Sequence, residues 1–244
     1  MTVLLWVVGF ALATIPIFAL SGARRRPDAL ASSAHGSFVL GDFIVRWLYW
    51  FVDPVIRLAL ALRLGPTAFN IAGAILGGLA GAFFAFGHFE AAGWCVLLGG
   101  VADILDGRIA RAQGVADARG AFLDSTLDRF AEVGAFVGVI VLYRESALAV
   151  TLCAIALGGS LLVSYARARG ESQGVVCSRG VMQRAERLLL LGIGALVDPL
   201  VAAHTGLASG TLLLILVGII AAGTLGTAIY RTVAIAGALA RTDA

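Results

Sequence analysis

The sequence predicts an all-α integral membrane protein: a six-helix transmembrane bundle, preceded by a juxtamembrane amphipathic helix and an extra leading transmembrane helix. Three observations carry this. Of 244 residues, 60% are hydrophobic and only 14% charged, against roughly 25% charged in soluble domains. Apolar runs of about 20 residues, the length that crosses the hydrocarbon, recur along the chain. Thirty-one glycines accompany five prolines without a Gly-X-Y period, a composition suited to helices packed closely in lipid.

Met1–Leu20 carries no charge and is followed by Arg24-Arg25-Arg26. A cleaved signal peptide places its positive charge ahead of its apolar run, so this segment reads as a retained helix with its N-terminus outside. Residues 27–37 form a polar connector, and 1–37 make the first unit. Residues 38–64 carry Asp42, Arg46, Asp53, Arg57 and Arg63, which at 100° per residue fall within about 120° of arc. Trp47, Tyr49, Trp50 and Phe51 add interfacial aromatics. The segment is expected to lie in the headgroup layer with a break at Asp53-Pro54; the alternative is a tilted span with a polar seam. Six spans follow, roughly at 67–88, 92–113, 119–142, 147–167, 188–204 and 208–230, so that 38–244 make the second unit.

Charge orients the spans. All 18 basic residues are arginine, opposed by 15 acids. Of the turns between spans, those at 88–93, 143–146 and 202–210 contain a single arginine, Arg144, and the rest lie on the other side. That side is assigned to the cytoplasm of a bacterial-type inner membrane. A net charge of +3 gives no footing for nucleic acid. Cys95, Cys153 and Cys177 lack CxxC spacing, so neither a disulfide framework nor a zinc site is indicated. Glycines four apart, Gly73/Gly77/Gly81 and Gly134/Gly138, allow close helix approach, within one chain or in the seam of a homodimer.

The chemistry is concentrated in one window. Asp103 and Asp106 stand three apart, and Asp124 and Asp128 four apart, so each pair shares a helix face. Gly107 and Arg111 continue the face of Asp103, and Gly120 precedes Asp124 by one turn. A short turn between the helices would bring all four acids together. Carboxylates at membrane depth are costly and mark function. Clustered, they must be protonated or neutralised, and oxygen-only ligands favour a hard cation, Mg2+ or Mn2+ and then Ca2+. Two such ions would balance four aspartates, and Arg111 offers a fork suited to phosphate. The site reads as a metal-assisted phosphoryl-transfer centre. A cation- or proton-coupled transporter is the alternative, although such proteins place ionisable groups at the midplane or show a repeat.

Asp103-x-x-Asp106-Gly107-x-x-Ala110-Arg111-x8-Gly120-x3-Asp124-x3-Asp128 resembles the complete signature of the CDP-alcohol phosphatidyltransferase family, with eight fixed positions across 26 residues. The resemblance extends over 38–231, leaving helix 1–20 as an addition. It implies transfer of a phosphatidyl group from CDP-diacylglycerol to an alcohol, releasing CMP. By the same resemblance the four aspartates hold two divalent metals, Asp128 is also the general base, and Gly107, Ala110, Arg111 and Gly120 line the cytidine diphosphate pocket. The family's Pro-Asn/Asp-x-x-Thr reads here Pro66-Thr67-Ala-Phe-Asn70, with the polar types exchanged. Thr67 and Asn70 then either border the nucleotide or cap their helix.

Five arginines, Arg167, Arg169, Arg179, Arg184 and Arg187, fall within 21 residues. Such a cluster suits a phosphate-bearing acceptor, or for any one arginine a lipid headgroup. The runs Ser164-Tyr165-Ala-Arg167-Ala-Arg169-Gly-Glu171 and Gln183-Arg184-Ala-Glu186-Arg187 resemble the bacterial phosphatidylinositol-phosphate synthase subfamily, with Arg167 in place of a lysine and Gly170 of an alanine. That resemblance implies inositol 1-phosphate as acceptor, its phosphate held among Ser164, Arg167, Arg169, Arg184 and Arg187. Glycerol 3-phosphate is the runner-up.

Overall fold

The computed structural model describes residues 13–20 and 42–242, and all of the regular structure in them is helical. The expectations for residues 1–12, for Arg24-Arg25-Arg26 and for the connector lie outside the described residues. The elements are α1 (13–20), α2 (Asp42–Ala61), α3 (Pro66–Ala85), α4 (Phe89–Gln113), α5 (Ala118–Leu142), α6 (Ala147–Ser172), α7 (Arg184–Thr205) and α8 (Thr211–Thr242). Four of them, α3, α6, α7 and α8, are long and apolar enough to cross a membrane. Both α4 and α5 have the length, at 25 residues each, but carry the aspartates and their arginines, which lower their hydropathy.

The fold is organised around α3, which packs along both α4 and α5, while those two meet each other only slightly. Glycine makes this possible. A Cβ at Gly81 would overlap the carbonyl of Gly134, one at Gly138 would overlap the carbonyl of Gly81, and one at Gly77 would strike Ala131. Gly73 instead faces α4, its Cβ position 3.7 Å from the carbonyl oxygen of Gly99. The glycine stripes therefore serve helix contacts within the chain. Gly81→Ala is expected to lower stability by about 1–3 kcal/mol or more, because backbone cannot yield as a side chain does. Gly78→Ala, whose Cβ would meet nothing within 4 Å, should stay within about 0.5 kcal/mol; thermal unfolding in detergent separates the two.

On the outside of α4 lies α2. Val52, Ile56 and Ala59 are buried against Leu105 and Ile109. Arg108 fastens the pair: Nη2 donates to Asp53 at 3.0 Å, Nη1 to the Tyr49 carbonyl at 2.8 Å, and the guanidinium lies over the Tyr49 ring. The break expected at Asp53-Pro54 is absent, for α2 runs through Pro54 without interruption. Proline removes one helical N–H, but packing by Val52 before it and Ile56 after it holds the helix together. Phe18 of α1 is buried and stacks near Phe43 and Trp50, while Trp47 donates to Thr14 at 3.0 Å.

At the end away from the acids, buried Asp198 of α7 caps α8, accepting from Gly210 N at 2.6 Å and Leu213 N at 3.0 Å. At the acid end, α7 starts at Arg184 and α6 continues to Ser172, further than the apolar runs alone suggest. The connector between them is tied by Arg231 of α8, which donates to the carbonyls of Val163, Ser178 and Arg179 at 2.9, 2.9 and 3.0 Å.

Candidate active site

The turn after α4 is built by two local devices. Gly114 ends the helix in the left-handed region at φ +68°, where a Cβ is disfavoured. Asp117 then caps α5, its Oδ1 accepting from Gly120 N at 2.7 Å. The chain turns back within four residues, 114–117, and the last turns of α4 face the first turns of α5 across the gap that α3 holds open. One carboxylate oxygen from each of Asp103, Asp106 and Asp124 lies within 4.8 Å of the others. Asp106 is buried. The Asn70 amide, with its nitrogen turned toward the acceptors, donates to Asp106 Oδ2 at 2.5 Å and to the Pro66 carbonyl at 3.0 Å. Oδ1 of Asp124 is buried without a hydrogen-bond partner among the described residues. Convergent carboxylate oxygens, one of them lacking a donor, fit a hard divalent cation.

Thr67, Asn70, Gly107, Ala110, Arg111 and Gly120 all line one cleft with Asp106 and Asp124. Neither Thr67 nor Asn70 caps α3. Gly65 is the N-cap, with Pro66 at the first helical position and no side-chain cap, so the alternative of a capping role falls away. A Cβ at Gly107 would sit 3.4 Å from Arg111 Nη1; the glycine gives that guanidinium room over the helix.

Asp128 stands apart from the other three acids and is engaged by Arg184. Nη2 of Arg184 is 2.6 Å from Asp128 Oδ1, and Nη1 is 2.7 Å from Asp103 Oδ1. Glu186 fixes this first turn of α7 by accepting from Gln183 N at 3.1 Å. On the other side of Asp128, Arg129 lies 3.8 Å away. Its Nη1 donates to Glu132 at 3.3 Å and to Ser164 Oγ. Glu132 in turn accepts from Arg187 Nε at 2.7 Å. Asp103, Arg184, Asp128, Arg129, Glu132 and Arg187 thus form a continuous ladder of alternating charge across α4, α5 and α7.

Ser164, Arg184 and Arg187 join this ladder. Arg187 is a buried member, committed to Glu132 and the Met182 carbonyl. Arg167 shares the α6 face of Ser164 one turn on, is exposed, and pairs with Glu171 at 2.8 Å. Arg169 is not brought to the site. Two residues rotate a helix by about 200°, and Arg169 lines a separate apolar groove with Tyr165, Leu225 and Ile229 between α6 and α8. Arg129, Glu132 and Arg231 were not singled out by motif. Glu132 had a usable signal, an acid four residues beyond Asp128 on the same face of an otherwise apolar run, and Arg231 is an arginine deep in the last apolar helix.

Residues 64–221 match the family model for CDP-alcohol phosphatidyltransferase. The phosphatidylinositol phosphate synthase of Streptomyces avermitilis is 37% identical over 184 residues, 73% of either chain. The archaetidylinositol phosphate synthase of Methanothermobacter thermautotrophicus is 34% identical over 151 residues, 62% of this chain and 74% of that one. Among solved structures, Mycobacterium tuberculosis phosphatidylinositol phosphate synthase with CDP-DAG bound superposes with a TM-score of 0.66 at 26% identity, covering 75% of this chain and 92% of that chain. The same enzyme in complex with manganese and citrate gives 0.67 at 26% identity, over 75% and 88%. The chain belongs to the CDP-alcohol phosphatidyltransferase family and is a transferase of phospholipid synthesis.

Proposed function

We propose that the protein transfers the phosphatidyl group of CDP-diacylglycerol to a hydroxyl of inositol 1-phosphate and releases CMP. The observation that carries this reading is the cation-rich wall beside Asp128: Arg184, Arg129 and Ser164 meet within one network at the proposed base, and the relatives include phosphatidylinositol phosphate synthases. In this reading α4 and α5 also span, completing six, and the arginine-rich ends of the helices set the site toward the cytoplasm of an inner membrane.

Asp103, Asp106, Asp124 and Asp128 hold two divalent cations, Mg2+ or Mn2+. When bound, these polarise the phosphorus and stabilise the departing CMP. The chain's own residues do the rest. Thr67, Asn70, Gly107, Ala110, Arg111 and Gly120 seat the nucleotide and diphosphate. Asp128 takes the proton of the attacking hydroxyl. Ser164, Arg167 and Arg184 hold the acceptor phosphate, Arg184 turning to it from the carboxylates, and Arg187 stands behind them through Glu132. The protein would act in lipid as a monomer or a homodimer.

The deciding assay follows CMP release from CDP-diacylglycerol with Mg2+ or Mn2+ and each acceptor. Release with inositol 1-phosphate and not with glycerol 3-phosphate is expected; the reverse would make the product phosphatidylglycerol phosphate. Arg184→Ala should raise the acceptor KM about ten- to a hundredfold by loss of a charge-assisted contact and spare the donor KM. Arg169→Ala, on the other face of α6, should leave both unchanged.

A further inference from the structure

Glu132 is a carboxylate with only 2% of its side chain exposed, one helical turn below Asp128 on α5. Burying such a charge costs several kcal/mol unless partners offset it, so its partners indicate its use. Each oxygen takes a different arginine: Oε1 accepts from Arg187 Nε at 2.7 Å and Oε2 from Arg129 Nη1 at 3.3 Å. The same Nη1 of Arg129 donates to Ser164 Oγ, and its Nη2 lies 3.8 Å from Asp128. With Asp128 and Asp103 counted, three arginines meet three carboxylates and the ladder is balanced, so what Glu132 fixes at Ser164 is the direction of the Arg129 fork rather than an excess of charge. Arg187 Nη2, buried, has no hydrogen-bond partner among the described residues.

We infer that Glu132 is a positioning residue for the acceptor phosphate: it never touches the acceptor, but clamps Arg129 and Arg187 so that Arg129 holds Ser164 beside the base. This rests on the reading that the acceptor carries a phosphate. An exposed arginine of this length would sample many rotamers. Held between Glu132 and Ser164, the Arg129 fork is set before the acceptor arrives, which is the condition for binding without an ordering cost. Glutamine at 132 keeps the shape but replaces one oxygen with an NH2 group. Whichever way the amide turns, one arginine then faces a donor.

The test compares wild type, Glu132→Gln and Glu132→Asp in nanodiscs. It measures kcat, the KM for inositol 1-phosphate, the KM for CDP-diacylglycerol, and the melting temperature. Glu132→Gln should raise the acceptor KM about tenfold, leave the donor KM as it was and change kcat much less. Glu132→Asp, which keeps the charge on a shorter arm, should fall between the two and serves where the glutamine variant fails to fold. In a cycle with Arg129→Ala the two effects on acceptor KM should fall short of adding, since one acts through the other. A lowered melting temperature with unchanged acceptor KM would make Glu132 a packing element only. A fall in kcat at unchanged KM would place its action on Asp128, and additivity in the cycle would remove Arg129 from the path; each result overturns the inference. If wild type uses unphosphorylated inositol as readily as inositol 1-phosphate, the acceptor reading itself fails, a result the variants cannot mimic.

Discussion

Asp128→Asn should abolish turnover, lowering kcat by about 10^2–10^4, the usual worth of a positioned general base, and further where metal affinity also falls. Asparagine has the same shape, and its carbonyl oxygen can still accept from Arg184, now 2.6 Å from Asp128 Oδ1. The fold and the Asp103–Arg184 contact should survive. Donor binding should survive as well, because Thr67, Asn70 and Gly107 line a cleft that includes Asp106 and Asp124 but not Asp128. Removing Asp106 or Asp124 should act differently, weakening cation binding and, for Asp106 through its contact with Asn70, the nucleotide side. The measurements are CMP release, binding of a CDP-diacylglycerol analogue, and Mn2+ titration of each variant. An Asp128→Asn protein that keeps most of its activity would remove Asp128 from the role of base.

The acids were legible because function fixes both their kind and their spacing. Asp103/Asp106 and Asp124/Asp128 repeat at helical intervals, and a carboxylate in an apolar run has few purely structural explanations. Their assembly was legible in part: Gly114 and Asp117 are ordinary stop and start signals, and the short turn was expected to bring all four together. Three converge, while Asp128, one turn further along α5, is engaged by Arg184 instead. The role of α3 was not legible. Its glycines announce close packing, but only the folded chain pairs Gly81 with Gly134 and Gly138 and turns Gly73 toward α4. The continuity of α2 through Pro54 was also hidden, because propensity at one residue yields to burial of Val52 and Ile56 on both sides. Arg167 and Arg169 look equivalent in a count of charges. Helical rotation puts one on the Ser164 face and the other on the α6–α8 groove, a distinction the sequence contains but a composition argument ignores. Glu132 escaped because its meaning lies in Arg187, 55 residues away.

Arg231→Met should cost about 3–5 kcal/mol of stability. Methionine fills similar space, so the loss is polar rather than volumetric. Arg231 is 3% exposed and donates to three carbonyls, of Val163, Ser178 and Arg179. The Val163 carbonyl, inside α6, keeps its helical N–H, but those of Ser178 and Arg179 lose their donor. A buried acceptor left without a partner costs about 1–3 kcal/mol, and two that share one arginine add to less than their sum. The damage should also reach the site. The Ser178 and Arg179 carbonyls anchor the connector that carries Met182, whose N–H donates to Thr227 at 3.1 Å and whose carbonyl accepts from Arg187 at 3.3 Å. A loosened connector frees the first turn of α7, and with it Arg184. Below its melting temperature the variant should therefore show a raised acceptor KM, an unchanged donor KM and faster proteolysis within 173–183. Arg231→Lys keeps the charge but offers a point donor instead of a fork, and should recover only part of the stability. An Arg231→Met protein that melts like wild type would show that the connector is held by the Met182–Thr227 contact and by α7 packing alone, and that the Ser178 and Arg179 carbonyls find other donors.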